Sequence, residues 1–87
     1  MKLFKSVDEK LSEIGFEKSF ESYFGANYEK YVEGFNFVHK VSIVRKSSGK
    51  HILQSYDPDA ENIGVGLTGY EMKLFLKKMK QMGLYSK

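Results

Sequence analysis

The chain has no cysteine, no tryptophan and a single proline. Without cysteine there are no disulfides, no thiolate nucleophile and no cysteine-ligated zinc. Small secreted domains usually depend on disulfide staples, so their absence points to the cytoplasm. The start, Met1-Lys2-Leu3-Phe4-Lys5-Ser6-Val7-Asp8-Glu9, turns charged before an apolar stretch of signal-peptide length can form. No apolar run approaches the ~18 residues of a membrane span, so no membrane association is expected. At 87 residues there is room for one domain, 1–87, and none for a Rossmann dehydrogenase, a TIM barrel or a protein kinase. A chain of this length buries roughly 60% of its unfolded surface and is held by about 4–13 kcal/mol.

What is present is ordinary for a globular chain: 41% hydrophobic and 29% charged residues. The net charge of +3 is unevenly placed. Residues 1–36 hold five lysines against seven acids, net −2, and residues 37–87 hold nine Lys or Arg against four acids, net +5. Seven Phe and six Tyr are a heavy aromatic load that suits β-structure. So many rings in a small domain leave some for a binding surface.

Ser6 and Glu9 have capping-box spacing, and Val7, Leu11 and Ile14 follow at i, i+4, i+7. This predicts a helix over 6–14, closed by Gly15 in the left-handed region. Phe16, Phe20 and Phe24 then fall on one side of a period-2 pattern, with Glu17, Ser19 and Glu21 on the other. Gly25-Ala26-Asn27 reads as a hairpin turn. A second strand spans Tyr28 to Glu33, and Gly34-Phe35-Asn36 is the next turn. The branched segment Phe37 to Arg45 is the third strand. Ser47-Ser48-Gly49 fits a three-residue hairpin loop with Gly in the left-handed position. His51 to Tyr56 is the fourth strand. Asp57-Pro58-Asp59-Ala60-Glu61-Asn62 is an acidic turn, and Ile63 to Leu67 is a flexible approach or short edge segment. Thr68 and Glu71 make a second capping box. Met72, Phe75, Leu76, Met79 and Met82 form an apolar helical face among Lys73, Lys77, Lys78 and Lys80. Gly83 ends this helix, with Leu84 available for a closing contact. The expected fold is α+β: a short N-terminal helix, a four-stranded antiparallel meander and a C-terminal amphipathic helix packed on the sheet. Both helices cover one sheet face.

Chemical motifs are few. Gly64-Val65-Gly66-Leu67-Thr68-Gly69 spells G-x-G-x-x-G before a helix, but no second parallel strand can be built from the 18 residues after it. It is read as a loop entering a capped helix. Lys50 after Gly49 is no Walker lysine, since the first Gly and the following Ser/Thr are missing. A three-residue loop sets Lys46 opposite Lys50 and Arg45 opposite His51, with His39 beyond Ser55. The two histidines then share a face several residues apart, and a four-residue loop separates them. Neither arrangement makes a two-histidine metal site. A general-base histidine needs an orienting carboxylate and a nucleophile, and only Asp57, Asp59 and Glu61 lie near. Those three acids lack the later ligands and flanking helices of an EF-hand. No catalytic group, no cofactor and no metal is therefore expected.

The stretch Arg45-Lys46-Ser47-Ser48-Gly49-Lys50-His51-Ile52-Leu53-Gln54-Ser55-Tyr56, with Gly66-Leu67-Thr68-Gly69-Tyr70-Glu71-Met72-Lys73-Leu74-Phe75-Leu76-Lys77-Lys78-Met79, resembles small phage and prophage proteins of low-GC Gram-positive bacteria. Ile14-Gly15-Phe16 and Tyr28-Glu29-Lys30-Tyr31 extend it. That resemblance implies a bacterial cytoplasmic setting and a small accessory role, and it carries no catalytic residue.

The function expected is non-enzymatic protein binding through Tyr23, Tyr28, Tyr31 and Phe35. The alternative is nucleic-acid binding through Arg45, Lys46, Lys50, Lys73, Lys77 and Lys78, where rings stack and cations neutralise phosphate. Sheet edges invite pairing unless charge blunts them, and a monomer is placed ahead of an edge-paired homodimer.

Overall fold

A computed structural model describes residues 5–46, 51–61 and 63–83. The order is α1 (Val7–Glu13), β1 (Glu17–Ser22), β2 (Gly25–Val32), β3 (Phe37–Val44), β4 (Ile52–Asp57), β5 (Ile63–Gly64) and α2 (Gly69–Gln81). The strands form one antiparallel meander in the order β1-β2-β3-β4-β5. The α+β class is as expected, but the sheet has five strands rather than four. Backbone bonds explain the fifth: Ile63 and Gly64 pair with Asp57 and Tyr56, and the Val65 amide then donates to the Ser55 carbonyl at 3.0 Å.

Both capping boxes form. In α1 the Glu9 amide donates to Ser6 Oγ, and in α2 the Glu71 amide donates to Thr68 Oγ1, with each glutamate reaching back. The end of α1 is a Schellman closure: the Phe16 amide donates to the Leu11 carbonyl and Gly15, at φ +99, donates to Ser12. That reversal drops Phe16 into the core before β1 begins.

The β1–β2 hairpin corrects the sequence reading. Its two-residue turn is Tyr23-Phe24, closed by the Ser22–Gly25 pair, and Gly25-Ala26-Asn27 belongs to β2. Gly25 is a glycine of close approach, since a Cβ there would lie 2.1 Å from the Ile43 carbonyl oxygen. A bulge between Lys18 and Phe20 breaks the period-2 pattern, so Lys18 and Glu21 both stand over the helix-covered face. Phe20 and Phe24, expected on the same side as Phe16, are instead exposed. The β3–β4 register, Val44 to Ile52 and Ser42 to Gln54, matches a three-residue loop. The loop residues Ser47, Ser48 and Gly49, and likewise Lys50, Asn62 and Leu84, lie outside the described residues.

One sheet face is covered. Ala26 and Tyr28 of β2 and Val41 and Ile43 of β3 meet Val7 and Leu11 of α1 and Leu74, Phe75 and Met79 of α2. Phe75 lies edge-on to both Phe16, at 5.1 Å between centroids, and Tyr28, at 5.3 Å. The buried face of α2 is turned from the expected one. Leu74 is buried while Met72 is exposed, and Glu71 and Lys78 are also buried. The apolar pattern missed this because both charges are paired: Lys30 with Glu71 at 3.2 Å, and Lys78 with Glu21 at 3.0 Å and Asp8 at 3.4 Å.

Phe75→Ala should therefore cost about 3–5 kcal/mol, and Met72→Ala should stay within about 0.5 kcal/mol as a surface change. Chemical denaturation of both variants checks the helix orientation. Equal losses would place Met72 in the core.

Candidate functional site

The expected protein-binding tyrosines divide. Tyr28 is no surface residue: it is 0% exposed at the centre of the core, and its hydroxyl donates to Asp8 Oδ1 at 2.5 Å. It faces inward because its partner Val41 and its diagonal neighbours all stand under the helices. Tyr23, Tyr31 and Phe35 are exposed, Phe35 on the β2–β3 turn and Tyr31 on the uncovered sheet face. The Tyr31 hydroxyl donates to Asn36 Oδ1 at 2.9 Å, tying that ring to its own turn.

The β1–β2 turn concentrates the rest. Tyr23 is 68% exposed and Phe24 72%, and their rings meet edge-on at 5.3 Å. The Ser22 hydroxyl accepts the Phe24 amide at 3.1 Å and fixes the turn. Arg45, at the end of β3, lays its guanidinium over the Tyr23 ring at 3.8 Å. Its Nε donates to the Tyr23 carbonyl at 2.6 Å and its Nη2 to the Met82 carbonyl at 3.0 Å. Arg45 thus joins the turn to the C-terminal end of α2, where a cation also suits the helix dipole. A shallow depression beside it is lined by Glu21, Ser22, Tyr23, Arg45 and Met82. Phe24 was missing from the expected set. Its signal lay in Ser22-Tyr23-Phe24-Gly25, where a turn ending on glycine carries two rings in place of small polar residues.

The expected nucleic-acid residues are not brought together. Lys78 is buried and committed to Asp8 and Glu21, so it cannot serve phosphate. Arg45 spends two of its N–H groups on the carbonyls of Tyr23 and Met82, Lys50 lies outside the described residues, and Lys46, Lys73 and Lys77 are exposed.

Buried polar groups supply structure. Glu71 reaches back to the Thr68 amide, so the start of α2 already holds a carboxylate where a G-x-G-x-x-G phosphate would sit. His39 is buried, with Nε2 2.6 Å from Ser55 Oγ. Ser55 gives its proton to the Val65 carbonyl, also at 2.6 Å, so the pair is assigned with His39 as donor and Ser55 unavailable as a nucleophile. Among the described residues no group of three or more His, Asp or Glu side chains could hold a metal ion. None of the described helices is long and apolar enough to cross a membrane.

No family model, curated protein or solved structure matches the chain.

The charge network sets a pH dependence. Burial raises Asp8, but hydrogen bonds from Tyr28 and Lys18 and the charges of Lys78 and Lys18 outweigh it and hold its carboxyl below the usual range. Hydrogen bonds from Lys18 and Lys78 do the same for Glu21. Burial holds His39 below its ordinary value, with Glu71 opposing and Lys30 adding to the shift. In each case the folded chain binds protons less readily than the unfolded one, so stability rises with pH. Burial and the Asp8 hydrogen bond push the Tyr28 hydroxyl up, and hydrogen bonds to Glu21 and Asp8 raise Lys18, so these two groups act in the opposite sense. Stability should be full between about pH 6.5 and about pH 10, fall on the acid side first as the unfolded histidine takes its proton, and fall again below about pH 4 as the carboxylates do. His39→Gln should remove the first fall and keep the second, as read by denaturation across pH.

The network also separates two neighbouring lysines. Lys78→Ala should cost about 1–3 kcal/mol through lost charged hydrogen bonds, and Lys77→Ala within about 0.5 kcal/mol, by the same denaturation measurement.

Proposed function

We propose that this chain is a small non-enzymatic phage or prophage accessory protein that works by protein–protein contact, with the β1–β2 turn as its contact surface. The observation that carries this reading is the pair Tyr23 and Phe24. Both positions of a two-residue turn hold large exposed rings, where folding alone favours Gly, Asn or Asp. The core needs neither ring. Tyr and Arg dominate interface hot spots, and a ring already clamped by Arg45 loses little freedom on binding. The resemblance to phage proteins supports a bacterial cytoplasmic setting. The β1 edge carries Glu17, Lys18 and Glu21 and a bulge, which supports a monomer.

The nucleic-acid alternative draws less support. Phe20 and Tyr31 stand on the uncovered sheet face, while Lys73 and Lys77 are exposed on α2 across the core from them. Stacking and phosphate neutralisation would then fall on different sides of the molecule.

The test is affinity capture from lysate of a low-GC Gram-positive host, with the parent chain and a Tyr23→Ser/Phe24→Ser variant. The parent should retain a defined protein partner. The variant should fold with unchanged stability and bind that partner at least about 30-fold more weakly, the scale of a hot-spot loss. A partner held equally by both, or none held by the parent, would contradict the reading.

A further inference from the structure

Among the described residues, the cations at the β1–β2 turn have no carboxylate partner. Among the described residues Arg45 donates to two backbone carbonyls, those of Tyr23 and Met82. A guanidinium has five N–H donors, so three remain. Lys46, next in the chain, is exposed and makes no ion pair among the described residues. Glu21 borders the depression, but its carboxylate is held by Lys18 at 2.8 Å and Lys78 at 3.0 Å. The end of α2 offsets part of the Arg45 charge. The turn therefore presents a positive centre beside two exposed rings. The lysines beside Glu21 are neutralised: Lys18 and Lys78 both sit in ion pairs.

We propose that this surface takes an acidic linear peptide. One apolar side chain of the peptide lies against Phe24 and Tyr23, and a neighbouring carboxylate meets the free donors of Arg45 together with Lys46. The inference rests on the reading of the turn as a protein-binding surface and adds the chemistry of the partner. A guanidinium matches a carboxylate with parallel hydrogen bonds, and pre-ordering by the Tyr23 stack and the Met82 carbonyl favours that geometry. A single strand of nucleic acid fits less well. Two adjacent cations are too short a track for successive phosphates, and the Tyr23 ring already has a partner on one face.

The experiment selects peptides from a random twelve-residue library on the immobilised full chain, then measures enriched peptides by fluorescence anisotropy, with a labelled oligothymidine beside them. Enriched peptides should combine Asp or Glu with an aromatic or aliphatic residue. Replacing their acids by Gln should weaken binding about tenfold, and raising salt from about 50 to 300 mM should weaken it several-fold. Phe24→Ser should cost at least about tenfold. Lys46→Glu, which breaks no hydrogen bond or ion pair among the described residues, should cost several-fold, and Arg45→Gln should cost more. Neutral or basic peptides that are lost on Phe24→Ser would overturn the acidic preference and leave the turn as a protein-binding surface. Peptides insensitive to both Phe24→Ser and Lys46→Glu would overturn the surface too. Preferential binding of the oligothymidine with a steep salt dependence would overturn both in favour of nucleic acid. No enrichment at all would overturn the inference.

Discussion

Everything in this molecule depends on Phe75 reaching the centre of the sheet. Its ring is fully buried and meets Phe16 and Tyr28 nearly at right angles, so one helical side chain locks the loop after α1 and the middle of β2. Tyr28 in turn can be buried only because its hydroxyl finds Asp8 on α1. The same carboxylate draws Lys18 and Lys78 towards it, and Glu21 shares both lysines. A hydrophobic contact at one residue thus brings α1, β1, β2 and α2 into a single charged seam. Burying Lys78 is tolerable because two carboxylates are waiting for it.

Two short helices can cover only part of one face of a five-stranded sheet. The core accordingly gathers on β2 and β3, and the outer strands are left with little to bury. A chain with this many aromatic residues must then place several of them in water. Where they go is not random. Tyr23 and Phe24 share a turn that Arg45 ties to the end of α2, so the exposed rings sit on a braced platform rather than on a loose loop. Rigid aromatic surface beside a cation is the chemistry expected of a recognition site.

Much of the fold was legible locally. Ser6-x-x-Glu9 and Thr68-x-x-Glu71 announced both helix starts, and Gly15 announced a helix end. The branched run of β3 and the β3–β4 register also followed from sequence. The failures share a cause, which is that alternation and helical spacing carry no information about a tertiary partner. The bulge after Lys18 inverted the expected faces of β1. Gly25 looked like a turn residue but answers to the Ile43 backbone on the neighbouring strand. Lys78 looked like a solvent lysine until Asp8 and Glu21, distant in sequence, came beside it. Tyr28 looked like surface for want of Asp8. β5 is two residues long, too short for any periodicity to show. Of the candidate site, exposed tyrosines could be expected from composition, but the Arg45 clamp joins residues 22 positions apart and was invisible to spacing.

The central claim is that the aromatic rings divide into a buried set that makes the fold and an exposed set that the fold does not need. Solvent paramagnetic relaxation, with a soluble gadolinium chelate and assigned aromatic ring protons, measures that division ring by ring. Phe16, Tyr28 and Phe75 should be protected to the same degree, while Tyr23, Phe24, Tyr31 and Phe35 relax strongly. If Tyr23 and Phe24 proved as protected as Phe75, or if Tyr28 relaxed with the exposed set, the account of both core and surface would be wrong.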